Sequence, residues 1–196
     1  MGSYLARDAR RRTILDAAVV VLGRDGIAAV TARSVAAELG GSQGQIHHHF
    51  GSTTQLVAEA WLLYTRTEVE QFEAETASLD PQEAVGHFFE GLRGGQDGGA
   101  LALWAEAGSY ARFAQEFAPA YLTSLQQVCT VLERLLDRER PDDGNRDAAL
   151  RLLMVGIGLA GLTAIAPTGE AGIAPGQVVG SAIAQELSRL RTPPHV

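Results

Sequence analysis

The stretch Gly40–Leu56, GGSQGQIHHHFGSTTQL, packs four glycines, two S-x-x-Q patterns and three adjacent histidines into seventeen residues. Gly40-Gly41 ends whatever helix precedes it, because glycine tolerates the left-handed conformation of a helix C-terminus. Ser42 followed three residues later by Gln45, and Ser52 followed by Gln55, each carry the S-x-x-Q pattern of a capping box. A helix of only about two turns is therefore predicted between Ser42 and Phe50. Such a helix is marginal alone, since nucleation is costly. Its neighbours must hold it, through Ile46 and Phe50, which lie four apart on one stripe.

Upstream, RTILDAAVVVLGRDG places Ile14, Leu15, Ala18, Val21 and Leu22 at helical spacing and stops at Gly26. Thr31 can cap ARSVAAEL, whose Val35, Ala36 and Leu39 share a face. Three short helices joined by tight glycine-rich turns make a compact head of roughly 50 residues. Downstream the helices lengthen. One is expected from about Thr53 to Ala77, and the next opens at Asp80-Pro81 with Glu83, a further capping pattern with proline at the first helical position. GGQDGG reads as loop, and a short helix follows at ALALWAEAG. The next helix begins near Ala111 or Pro119 and runs to Arg138, another covers about Arg146 to Ala166, PTGEAGIAPG is loop, and Gln177–Arg191 closes the chain. The fold class expected is all-α: a three-helix helix-turn-helix head, residues 1–52, on a larger helical body, residues 53–196.

Charge separates the two parts. The chain carries a net charge of −7, and all sixteen of its basic residues are arginine. Residues 1–50 hold six arginines against four acids, while the other 146 hold ten against nineteen. A mildly basic head on an acidic body suits a protein that meets a polyanion at one end only. A single cysteine excludes an internal disulfide framework. The N-terminal residues show no signal-peptide pattern, and Ala6 stands where myristoylation needs serine or threonine. The longest apolar run, LLMVGIGLAGLTAIA, is too short to span a bilayer as a straight helix, so no membrane partner and a cytoplasmic location are expected.

In a helix-turn-helix the second helix enters the major groove with its first turn on bases and phosphates. That would present Ser42, Gln43, Gly44 and Gln45, then His47 and His48. Glutamine can pair with adenine, serine serves bases or phosphates, and exposed helix N–H groups favour a phosphate. The competing reading has Ser42 as a cap and the glutamines in solvent. Adjacent helical side chains point about 100° apart, so the three histidines cannot converge on one metal ion. GIGLAG, Gly156 to Gly161, matches a dinucleotide-binding pattern in letters only, because no strand precedes it. Small residues there suit close helix packing instead. Ser109, Cys129 and the histidines form no recognisable triad, so neither an enzyme nor a cofactor is expected.

Residues 11–56 resemble the DNA-binding domain of the TetR family of bacterial transcriptional regulators. The resemblance rests on ILDAA, Gly26, Thr31, VAAELG, SQG at Ser42–Gly44, HHHF at His47–Phe50, Ser52 and Leu56. It implies a ligand-responsive regulator that binds a palindromic double-stranded operator as a homodimer. It further implies a repressor released by a small effector, here apolar or aromatic. The implied DNA-binding set is Arg10, Arg12, Thr31, Arg33, Ser42, Gln43, Gly44, Gln45, His47, His48 and Thr53. Dimerisation through the last two helices would use Leu152, Val155, Gly156, Leu159, Leu162, Val179, Ile183 and Leu187. Phe88, Trp104, Phe113, Tyr121 and Met154 are the expected effector-pocket residues, with Glu106 a further candidate. The chain departs from the family at Gly41, usually hydrophobic, Gln43, usually basic, His47, usually tyrosine, and Thr53, near which a basic residue is common. These departures keep a second reading open: a helical small-molecule-binding or interaction module with weak or lost DNA binding.

Overall fold

The computed structural model describes residues 2–89, 99–165 and 175–191, and all regular structure among them is helical. In order these are α1 (Gly2–Asp25), a 3-10 turn (Ile27–Ala29), α2 (Ala32–Glu38), α3 (Gln43–His49), α4 (Thr53–Thr76), α5 (Pro81–Phe88), α6 (Gly99–Ala111), α7 (Ala118–Glu139), α8 (Asn145–Ile165) and α9 (Pro175–Arg191). Helix α1 starts nine residues before the expected Arg11, since the leading segment contains good helix formers such as Leu5, Ala6 and Arg7. The expected loops at GGQDGG and PTGEAGIAPG fall largely outside the described residues, although their last residues, Gly99 and Pro175-Gly176, already belong to α6 and α9.

The chain divides into two compact units. The first comprises residues 1–67 and 106–124, and the second residues 68–105 and 125–196. The unit that contains α1–α3 therefore extends past the expected limit at residue 52 and recruits the end of α6 and the start of α7.

In the first unit, Thr31 caps α2 as expected: its hydroxyl accepts from the Ser34 amide, and the Ser34 hydroxyl accepts from the Thr31 amide. Gly40, at φ 61°, ends that helix in the left-handed region. Ile14, Val21 and Leu22 of α1, Val35 of α2 and Ile46 and Phe50 around α3 are all buried, which fixes the three helices against one another. Trp61 of α4 is fully buried, donates from Nε1 to Ser124 Oγ at 2.9 Å, and lies edge-on to Phe117. Two carboxylates from the recruited segment close onto the head. Glu106 Oε1 accepts from the Ala28 amide at 2.9 Å, and Glu116 Oε2 accepts from the Ser52 hydroxyl at 2.8 Å. Gly26, at φ 90°, passes close to the first of these, and a Cβ there would stand 2.6 Å from Glu106 Oε2.

The second unit packs around Ala84, Val85 and Phe89, the inner face of α7 from Val128 to Leu136, Leu152, Leu153 and Leu159 of α8, and Ile183 and Leu187 of α9. Asp80 and Glu83 form the expected capping box on α5, with Pro81 at its first position. Helices α8 and α9 are also joined by a two-pronged ion pair: Arg151 Nε and Nη2 donate to Glu186 Oε1 and Oε2 at 2.7 and 2.8 Å. Glu186 is buried, and the Arg151 fork holds its carboxyl below the usual range.

Because the folded carboxyl gives up its proton more easily than the unfolded one, this pair stabilises the fold above the ordinary carboxylate pKa. That contribution is lost as pH falls through the lower folded value. Replacing Arg151 by methionine leaves a buried carboxylate without its main partner and should cost about 1–3 kcal/mol at neutral pH. Urea unfolding at pH 7 and pH 3 measures this, and the gap between wild type and variant should narrow at the acid end.

Candidate nucleic-acid interface

Helix α3 is held by Ile46 and Phe50, with His49 half-buried beside them, and its other side chains face out. Ser42, Gln43, Gly44, Gln45, His47 and His48 are all exposed. Thr31 and Arg33, at the start of α2, are exposed as well, and Thr53, the first residue of α4, is half-buried. The structure thus collects on the first unit most of the residues expected from the sequence to meet DNA.

Two expectations need correction. Ser42 occupies the N-cap position of α3, but its side chain makes no capping hydrogen bond, so the S-x-x-Q box does not form there. Gln45 is engaged elsewhere: Arg10 Nη2 donates to Gln45 Oε1 at 2.6 Å. At the second S-x-x-Q, Ser52 Oγ does accept from the Gln55 amide, while Gln55 Oε1 accepts from the Gly51 amide, one residue ahead of the cap. Arg12 is exposed on α1. It pairs with Asp16 at 3.5 Å, and its two-residue offset from Arg10 puts it about 200° around α1.

Arg10, one of the two α1 arginines expected to meet DNA, lies on the side of α1 near α3. Arg7, Arg10 and Arg11 recur at three- and four-residue spacing, so they share one side of the helix. All three act electrostatically on His49 at the end of α3. Arg11 is structural, because its Nη2 lies 2.6 Å from Glu59 and its guanidinium stacks 4.5 Å above the Phe50 ring. Arg7 and Arg10 therefore stand beside the recognition helix in place of the basic residue missing at Gln43.

The histidines divide as helix geometry requires. His47 and His48 face solvent, and His49 turns inward, with its Nδ1 buried and unpartnered. Among the described residues no group of three or more histidine, cysteine or acidic side chains is gathered as metal ligands would be. Burial, then His48, Arg7, Arg10 and Arg11, push the His49 pKa below its ordinary value.

The candidates for the body have diverse fates. Phe113 is 83% exposed and Met154 53% exposed, so neither lines an interior cavity within the protomer. Phe88 packs edge-on against Phe72 and Phe89 in the second unit, where Trp104 joins the same core. Tyr121 lies in the first unit against Trp61, and burial raises its phenol pKa. Glu106 is bound to the Ala28 amide. An open cleft of about 750 Å³ in the second unit, between α5 and α9, is lined by Asp80, Glu83, Gly86, His87, Gly180 and Ile183 among others, and by no aromatic candidate. Of the expected dimer residues, Leu152, Leu159, Ile183 and Leu187 are buried in the protomer's own core, with Val155 partly buried against it. Gly156 backs onto Phe89, whose Cε1 would lie 2.9 Å from an added Cβ. Leu162 is exposed, and the side chain of Val179 lies outside the described residues.

Residues 14–60 match the family model for bacterial regulatory proteins of the tetR family. The chain has the TetR-family regulator fold. Solved structures agree over nearly its whole length. A protein of Streptomyces coelicolor A3(2) assigned as a transcriptional regulator is 23% identical, with a TM-score of 0.68 over 91% of this chain and 98% of its own. The multidrug binding protein EbrR, solved with proflavin, is 22% identical, with a TM-score of 0.66 over 88% and 99%. A further protein assigned as a transcriptional regulator, from Saccharomonospora viridis and solved with choline, is 20% identical, with a TM-score of 0.64 over 94% of each chain. At these identities the likeness concerns the fold. No curated protein matches the chain.

For this TetR-fold chain the inward His49 makes a test. Its imidazole binds a proton more readily unfolded than folded, so its share of stability is full above the ordinary histidine pKa, roughly 6.5. That share is lost as pH falls from there towards the lower folded value. The urea midpoint of the free protein should drop between about pH 7 and pH 5, and H49Q should flatten that drop.

Proposed function

We propose that the protein is a ligand-responsive, DNA-binding transcriptional regulator that acts as a homodimer. The observation that carries this reading is the recognition helix itself: α3 turns its anchors and His49 inward and offers Ser42, Gln43, Gly44, Gln45, His47 and His48 outward, beside the exposed Arg33 of α2. Backbone N–H groups at the starts of α2 and α3 and the arginines of α1 supply phosphate contacts. A protein that works on operator DNA acts in the cytoplasm, and no helix among the described residues is long and apolar enough to cross a membrane.

Dimerisation through α8 and α9 keeps Leu162 of the residues first expected and adds others. Leu150, Met154 and Leu162 are exposed along one side of α8, four or eight residues apart, and Val178 is exposed on α9. Gly158 lies on the same row, and an added Cβ there would meet nothing within 4 Å, as at Gly161 and Gly180. A two-fold partner that presents the same stripe would cover it. M154R and L162E should each give a monomer with unchanged helicity, read by analytical ultracentrifugation and circular dichroism. A dimer that survives both would remove α8 from the interface.

The effector is a small apolar or aromatic molecule, and binding would release the protein from its operator. EbrR with proflavin and the Saccharomonospora viridis protein with choline show that this fold accommodates small organic molecules in relatives. A ligand shifts such a two-state equilibrium only by as much as it favours one state. The regulator reading is tested by titrating genomic operator-region DNA against the dimer at two salt concentrations. Sequence-selective binding that weakens with salt, and falls further in R33A with the dimer intact, is expected. Weak binding indifferent to sequence and salt would favour a small-molecule-binding module that has lost its operator.

A further inference from the structure

Gln45 is the longest polar side chain in the interior of α3 that the helix sends outward, and one of its two amide ends is already committed. Arg10 approaches it at 2.6 Å. A guanidinium has donors only, so the atom that faces it must be the carbonyl oxygen, Oε1. The assignment of the two ends of this amide is thus fixed by chemistry, where for most glutamines it is open. The end turned away from α1 is the NH2 group.

Gly41 makes the arrangement possible. A Cβ at that position would stand 2.9 Å from Gln45 Oε1 and 3.5 Å from Arg10 Nη2. The first is too close for a side chain at residue 41 to leave the Gln45 carbonyl where it is, while the second is an ordinary contact. The φ of Gly41 is not in the left-handed region, so its backbone conformation alone does not demand glycine. Space for the Arg10–Gln45 pair does. Three features that look unrelated in the sequence, an arginine on α1, a missing side chain in the turn and a glutamine on α3, form one device.

We propose that Arg10 and Gly41 make Gln45 a one-ended hydrogen-bond donor, so that at its position in each half-site the protein selects a base with a major-groove acceptor. A free glutamine reads adenine by using both ends at once: the oxygen accepts from N6 and the NH2 donates to N7. The oxygen keeps a second lone pair, but with Oε1 held towards Arg10 the two ends of the amide are not free to align together on N6 and N7, which disfavours that paired readout. The NH2 group is matched by guanine, with O6 and N7, or by thymine, with O4. Adenine offers its N7 to the same donor, but its N6 donors face an amide whose oxygen is turned away. The remaining donors of the Arg10 fork are available for the adjacent phosphate, which clamps the glutamine further when DNA is bound.

This inference rests on the proposed operator binding, and one experiment tells the two apart. The full-length wild-type dimer, R10M, G41A and Q45A are each used to select from a pool of randomised duplex DNA, and the enriched half-sites are compared position by position. The wild type should prefer guanine or thymine at one position per half-site, by about tenfold over adenine, the scale of one good base contact. R10M should shift that position alone towards adenine, even though its overall affinity falls with the lost charge. G41A, which displaces Gln45 and keeps the arginine, should give the same shift. Q45A should abolish preference at the same position, which identifies it. Adenine preference in the wild type, or a guanine or thymine preference that R10M and G41A both leave unchanged, would overturn the device while the regulator reading stands. No enrichment of any sequence by the folded wild-type dimer would overturn both.

Discussion

A seven-residue helix cannot hold its own conformation in water, and α3 survives because two apolar side chains, Ile46 and Phe50, are driven into the groove between α1 and α2. That one constraint orders the rest of the head. It requires Val35 and the α1 face from Ile14 to Leu22 as the surface to bind against. It also leaves the helix's polar side chains other than His49 facing outward, which is where they are useful. Arg11 reinforces the anchor, stacked on Phe50 and tied to Glu59, so this charge is part of the packing.

The same economy of small elements explains why glycine is concentrated in the turns. Gly40 takes a backbone conformation that other residues avoid, whereas Gly41 is short because a neighbouring pair of side chains fills its space. Two adjacent glycines thus have unrelated causes.

Much of this was legible from local pattern. Caps at Thr31 and Asp80, helix ends at Gly26 and Gly40, and the Thr53–Thr76 helix all follow from rules that act over three or four residues. What was not legible depended on contacts remote in sequence. Arg10 lies thirty-five residues from Gln45, and nothing local indicates that it will draw that amide away from the cap of its own helix. The apolar residues of α8 illustrate a different limit. Leu152, Leu159 and Met154 look alike in composition, and only the angular position of each on the helix decides that two are core and one is surface. Without the neighbours, α8 is apolar nearly all round, so its periodicity cannot orient it. Nothing near Glu106 in the sequence shows that its carboxylate accepts from a backbone amide of the 3-10 turn seventy-eight residues away.

The recruitment of residues 106–124 into the first unit has a consequence for anyone who wishes to exchange parts between such proteins. A graft cut after α3, or even after Thr67, would leave behind Ser124, the acceptor for the Trp61 indole, and Phe117, whose ring covers it. It would also leave the two carboxylates that fasten the turns on either side of α2 and α3. The transplantable piece is discontinuous: two segments separated by some forty residues of the other unit. A chimaera that respects the fold must carry both, because the apolar cover of α4 and the polar fastenings of the head are encoded on the second.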